Sequence, residues 1–385
     1  MASSEELSRA LLEAAEVGDV KTLQNLLDAG VDVNYRPLEA ESKGWDGLPA
    51  LFKAAGRGHA AAVKLLLEHG ASTDNLEGTS VLYLACYEGH VEVAKLLIEK
   101  KKQTQRQKDS KEPRRHSPKL DGDKFTEAHG EIVRLLIDGG YDINVYGEDG
   151  RSPLMTAIRY KHSGLFNMLL EKGADVNATT FGLEGGQSVL SIAATYGTVE
   201  MVQCLLDKGA ELRRETDGFP PLHAAANRGK LDVMTLLLER GAVAEAPETN
   251  NRTAMHEAAK GGKNNAIQLL FDAGFSLEAR SSESEGMRGM TPLLEAAHWG
   301  RISTVELLLD LGANINATDD NGDSILHHSI WGLNHMEFAF KLFLSLGLDV
   351  NAQDCNGETP LHIAVYEQNV AIIQMLLEAG ANLEA

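Results

Sequence analysis

The chain of 385 residues is 43 % hydrophobic yet only 5 % aromatic, and 36 Lys and Arg against 56 Asp and Glu leave a net charge of −20. That acidity excludes general nucleic-acid binding through the body of the protein, because phosphate contacts need a basic face. It either keeps the protein in solution or selects basic partners. Cys86, Cys204 and Cys355 are scattered without metal-type spacing, so neither a metal site nor a disulfide framework is expected. Cys86 and Cys204 read as small buried residues and Cys355 as exposed, and the compartment should be reducing, cytoplasmic or nuclear. No basic-then-apolar leader opens the chain and no apolar run reaches spanning length, so neither a secretory signal nor a membrane contact is expected.

In chain order, 1–34 predicts two short helices. The first bears Glu5, Glu6 and Glu13, and Ala14-Ala15 and Gly18 lead into the second. From 35 to 99, and again from 126 to 385, one unit recurs. Its phrase is clearest as Thr359-Pro360-Leu361-His362-Ile363-Ala364, with weaker copies at Pro220-Pro221-Leu222-His223, Thr291-Pro292-Leu293-Leu294 and Ser152-Pro153-Leu154-Met155. The leucine slot falls at Leu51, Leu82, Leu154, Leu190, Leu222, Met255, Leu293, Leu326 and Leu361. The steps between them are 31, 72, 36, 32, 33, 38, 33 and 35 residues.

Each unit has a physical reading. The Thr or Ser slot caps a helix and Pro suits its first turn. Small pairs such as Ala54-Ala55 and Ala225-Ala226 let helices approach closely. Gly58, Gly89, Gly197, Gly229 and Gly300 should end the first helix in a left-handed conformation. A second helix follows with a stripe such as Val63-Lys64-Leu65-Leu66-Leu67, closed by Gly70, Gly173, Gly209, Gly241, Gly274, Gly312, Gly347 or Gly380. A period near 33 with this phrase resembles the ankyrin repeat, a β-turn and two antiparallel helices per unit. The resemblance implies an all-α repeat solenoid with β-turn fingers, about eleven units in one continuous array, and a protein that binds rather than catalyses. It makes 1–34 a solvated capping unit. The chain stops at Ala385 straight after a second helix, so the native protein is expected to continue or to have been trimmed there.

The 72-residue step hides one eroded unit, whose second helix is Glu131 to Asp138 and whose first helix lacks the phrase. Ahead of it, 100–125 reads as a basic, disordered insertion. Its stretch 100–119 holds nine basic and two acidic residues, +7, leaving −27 for the rest. It serves as a passive loop, an import or docking patch, or a kinase site at Ser117 behind Arg114-Arg115. The stretches 35–46 and 281–287 are longer than the period requires and should project as fingers.

The resemblance assigns His223, His256, His327 and His362 to local hydrogen bonds that tie units together. The two residues after the Ala-Ala pair would face a concave groove, and there stand Tyr87, Arg159, Tyr160, Tyr196, Arg228, His298, Trp299, Trp331 and Tyr366. Six of the eleven Tyr and Trp residues occupy this one column, and Tyr, Trp and Arg are the residue types favoured at binding hot spots. One turn earlier, three successive units place Glu257, Glu295 and His328. With Asp319, Asp320, Asp323, Asp354 and Glu358 on adjoining turns, these residues centre the groove on the eighth to tenth units. A monomeric scaffold or adaptor for a protein or peptide, with a preference for a basic one, is the first reading. The alternative is an enzyme using Glu257, Glu295 and His328 for acid–base chemistry on a small molecule. A third is an assembly arm of a larger protein. No H-E-x-x-H, P-loop, G-x-S-x-G or paired C-x-x-C motif occurs, and no cofactor is expected.

Overall fold

Short polar caps and stacked small residues set the helices. Ser80, Ser152, Ser188 and Thr291 each accept the backbone N–H three residues on, at 3.1–3.4 Å. Pro153, Pro221, Pro292 and Pro360 occupy first turns, where a missing N–H costs nothing. The structure, a computed structural model, describes all residues except 1–2, 38–46, 74–79, 107–125, 148, 182–185, 213–218, 244–251, 283–287, 332–336 and 384–385. Among the described residues there are twenty-one helices and no strand, only two isolated β-bridges. The fold is an all-α repeat solenoid. No helix of the described residues is long and apolar enough to cross a membrane.

The chain divides into two units, Met1–Asp175 with Thr180–Glu184, and Val176–Thr179 with Gly185–Ala385. In the first, α1 (Ser4–Val17) pairs with α2 (Val20–Asp28), α3 (Ala50–Gly56) with α4 (Ala60–Glu68), and α5 (Val81–Tyr87) with α6 (Val91–Arg106). A single helix, α7 (Glu127–Asp138), precedes the pair α8 (Pro153–Arg159) and α9 (Ser163–Glu171). First helices pack on first helices and second on second, enclosing Leu11, Leu23, Leu51, Phe52, Leu66 and Ile132. Histidines lock successive pairs. Nε2 of His59, His90 and His129 bonds the carbonyls of Glu16, Gly56 and Tyr87 at 2.9, 3.0 and 3.2 Å. Gly58 has φ +80, and a Cβ there would lie 2.6 Å from the His90 ring. Glycine therefore satisfies both the backbone and the ring.

One expectation changes in this unit. Helix α6 continues through Lys100–Arg106, where the sequence predicts the loop to begin. Lys, Gln and Arg are good helix formers and no breaker intervenes, and Lys102 Nζ donates to the Asp138 carbonyl at 3.2 Å. The remainder of the basic insertion, with Arg114, Arg115 and Ser117, lies outside the described residues, as does any first helix before α7.

In the second unit α10 (Val189–Tyr196) pairs with α11 (Val199–Asp207), α12 (Pro221–Arg228) with α13 (Leu231–Glu239), and α14 (Ala254–Gly261) with α15 (Asn264–Asp272). Then come α16 (Pro292–His298) with α17 (Ile302–Asp310), α18 (Ile325–Trp331) with α19 (Glu337–Ser345), and α20 (Pro360–Tyr366) with α21 (Val370–Glu378). The leucine slots Leu190, Leu222, Met255, Leu293 and Leu326 are buried in its core. His223, His256 and His327 bond the carbonyls of Arg252, Met290 and Glu358, in the next unit's turn, at 2.8, 2.9 and 3.2 Å.

Gly197 departs from expectation. It is extended (ψ −175), and the hydroxyl of Thr198 beside it caps α11 directly. Conversely Lys161 and Gln368 take positive φ without being glycine. Cys86 is buried and Cys355 exposed as expected, whereas Cys204 is half-buried. The tips of both projected fingers, 38–46 and 283–287, lie outside the described residues. The base of the second is closed by Ser281 N–H donating to the Met290 carbonyl at 2.9 Å.

Candidate functional site

The repeat register puts Glu257, Glu295 and His328 on the same turn of α14, α16 and α18, one turn before the aromatic column. Arg252, in the turn ahead of α14, reaches across two of them. Its Nε donates to Glu257 at 3.0 Å and its Nη1 to Glu295 at 2.5 Å. Glu257 also accepts from Asn227 Nδ2 at 2.9 Å, and Glu295 from the Trp299 indole N–H at 3.1 Å. Glu257 is 5 % exposed and Glu295 fully buried. Burial pushes the Glu295 carboxyl above its ordinary range, and the Arg252 guanidinium opposes this. Both carboxylates are thus committed to an internal network, which corrects their reading as free ligands for a basic partner. Nor does the arrangement favour the acid–base alternative, since the two carboxylates face one guanidinium.

That network holds one member of the aromatic row, Trp299. Trp299 is half-buried, held by Glu295 on its N–H edge and by Lys260 Nζ over its face, 4.9 Å from the centroid. His298 meets Trp299 edge-on at 5.6 Å and His328 at 5.9 Å, and His328 meets Trp331 at 5.7 Å. Burial, and then His328, hold the His298 imidazole down to about 4, so it is neutral near pH 7. Further along the same unit, Arg228 is exposed and lies over the Tyr196 ring at 5.7 Å, and Tyr366 is 81 % exposed. In the first unit Tyr87 is half-buried and stacks on Tyr83 at 6.0 Å, and Tyr160, half-buried, caps α8.

The acidic turn before α18 differs from expectation. Only Asp320 is at the surface, pairing with Arg280 at 3.0 Å. Asp319 and Asp323 are buried. Asp319 Oδ1 accepts the backbone N–H of Asn321 and of Asp323, both at 2.9 Å, while its Oδ2 lies 3.2 Å from His328 Nε2. Burial, and then the Asp319 charge, push the Asp323 carboxyl up to about 6. Sequence reasoning missed Arg252, and it placed Asp319 and Asp323 beside the groove instead of under His328. The signal was present as a turn residue just before a helix cap, but the repeat phrase gives that position no role.

A family model for ankyrin repeats, three copies to the model, matches residues 11–109, 125–180, 181–248, 242–319 and 315–385. The chain belongs to the ankyrin repeat family. Among curated ankyrin-containing relatives, the 2-5A-dependent ribonuclease of Mus musculus is 52 % identical over 40 residues, 10 % of this chain and 5 % of that protein. An ankyrin repeat and KH domain-containing protein of Caenorhabditis elegans is 30 % identical over 109 residues, 28 % of this chain and 4 % of its own. A probable E3 ubiquitin-protein ligase of Oryza sativa subsp. japonica is 30 % identical over 147 residues, 30 % of this chain and 29 % of its own. The chain therefore spans less than a third of each of these relatives. Ankyrin repeats generally mediate protein–protein interaction, which supports a scaffold.

Proposed function

We propose that this ankyrin array is a non-catalytic adaptor that binds a protein or peptide through the groove face of α12, α14, α16 and α18. The observation that carries the proposal is the row His298, Trp299, His328 and Trp331, rings in edge-on contact, with Trp299 held by the Arg252–Glu295 network. Half-buried Trp side chains whose orientation is already fixed lose little freedom on binding, which is what makes an anchor effective. Arg228 over Tyr196 extends the row toward α10, and Tyr366 extends it toward the last pair. A preference for a basic partner rests on the exposed Glu358 of a neighbouring turn, since Glu257 and Glu295 are engaged internally and Asp320 pairs with Arg280. The protein acts as a monomer in the cytoplasm or nucleus, with no nucleic acid or membrane as its ligand.

The test is a random-peptide display selection on the wild-type chain, scored on Trp299→Ala and Trp331→Ala. Each variant should keep its helical signal and lose at least about thirtyfold in affinity for the selected peptides, the equivalent of about 2 kcal/mol. Lys64→Ala, on an exposed second-helix face, should change nothing. Peptides that bind all three variants alike would remove the groove from the account.

A further inference from the structure

Asp319, Asp323 and His328 are 3 %, 1 % and 1 % exposed. Each has side-chain atoms that are buried and have no hydrogen-bond partner: Asp319 Oδ2, Asp323 Oδ1 and both nitrogens of His328. One ligand-type atom from each residue lies within 4.8 Å of the other two. Unpaired carboxylate oxygens in a protein interior are expensive, and a fold that gathers several calls for a compensating charge. No Lys or Arg among the described residues pairs with either carboxylate. Apart from His328 itself, the charges acting on Asp323, those of Asp319, Asp354 and Glu358, are all negative.

We propose that Asp319, Asp323 and His328 bind one divalent transition-metal cation of the zinc class. The contact between Asp319 Oδ2 and His328 Nε2 is 3.2 Å long but is not aligned as a hydrogen bond. Two atoms each about 2.1 Å from one cation, at a bond angle near about 100°, stand about 3.2 Å apart. One imidazole nitrogen with two carboxylate oxygens suits zinc and its first-row neighbours, whereas calcium and magnesium favour oxygen-only shells of six or more. Asp319 is oriented by the two backbone N–H groups on its Oδ1, which leaves Oδ2 free to ligate. Three protein ligands leave a position for water, or for a side chain of a bound partner. The edge-on rings of His298 and Trp331 place this position next to the aromatic row.

The experiment titrates Zn²⁺ into the full chain, first stripped with a chelator and desalted, in competition with a chromophoric indicator. One equivalent should bind with a Kd of about 1 μM or tighter, and Asp323→Asn and His328→Gln should each weaken it at least about tenfold. His69→Gln, in the first unit, where the ring bonds the Leu65 carbonyl, should leave it within about twofold. Substituted Co²⁺ should give visible d–d absorption that both ligand variants lose, while circular dichroism confirms that they fold. If His328→Gln unfolds, Asp319→Asn, which keeps the turn-capping oxygen, carries the same expectation. Absence of a tight equivalent, or an equivalent that the folded ligand variants retain, overturns the proposal and leaves Asp319 and His328 as a buried polar contact.

Discussion

Arg252, with 12 % of its side chain exposed, decides what two neighbouring carboxylates do. Removing one partner of a buried pair leaves the other charge uncompensated, which costs about 3 kcal/mol or more. Arg252→Met should therefore lower stability to chemical denaturant by that order, because it strands the buried Glu257 and Glu295 together, and should also loosen the carboxylate that holds the Trp299 indole. A variant of wild-type stability that only bound partners less well would return Glu295 to the role of a surface ligand. His256 makes a second residue-scale prediction. Its Nδ1 accepts the Thr253 N–H at 3.1 Å and its Nε2 donates to the Met290 carbonyl at 2.9 Å, a pattern only the neutral ring satisfies. Burial holds it down to about 4. The unfolded chain takes up that proton near pH 6.5 and the native chain does not, so stability should fall as pH drops from about 6.5 to about 4. Denaturant melts at pH 7 and pH 5 should show a smaller loss in His256→Gln than in wild type. An equal loss would mean that His256 does not contribute to the pH dependence.

These residues also show what a sequence of this kind discloses. The groove slots of Glu257, Glu295, Trp299 and His328 were legible because the repeat fixes register along the chain. Arg252 was not, because a turn side chain folding over two neighbouring helices leaves no periodic trace. Asp319, Asp323 and His328 were hidden for a related reason. The first is a turn-capping Asp, the second the residue just before a helix cap and the third a groove position, and only stacking brings them to one point.

At the scale of the element, left-handed glycines separate two effects that sequence merges. Gly58 and Gly70 have φ +80 and +84, so both resist a side chain on conformational grounds. Only Gly58 lies under a ring, that of His90, whereas an added Cβ at Gly70 meets nothing within 4 Å. Gly58→Ala should therefore cost at least about 1 kcal/mol more than Gly70→Ala, because it must also displace the His90 ring from the Gly56 carbonyl. Equal costs in thermal melts would mean that the ring contact adds nothing to the coupling between α3 and α6. The glycine phrase was legible throughout, yet Gly197 is extended because Thr198 supplies a side-chain cap. Likewise the charge of 100–106 suggests a loop, while helix propensity and the contact of Lys102 with the Asp138 carbonyl extend α6.

For the whole molecule, the charge of −20 does not fall on the groove as free carboxylates. On the proposed groove Arg228, Arg252 and Lys260 stand beside the aromatic row, and Glu358 is exposed on a neighbouring turn. Partner affinity should accordingly fall only moderately with salt, and Glu358→Gln should flatten that dependence without touching the aromatic anchors. The claim on which the account depends most is that one face of the second unit is the binding surface. Hydrogen exchange of the full chain, with and without a display-selected peptide, tests it most directly. The account predicts new protection concentrated in α14, α16, α18 and the turns before them, with α15 and α17 unchanged. Protection on α15 and α17 with the groove helices unaffected would contradict it.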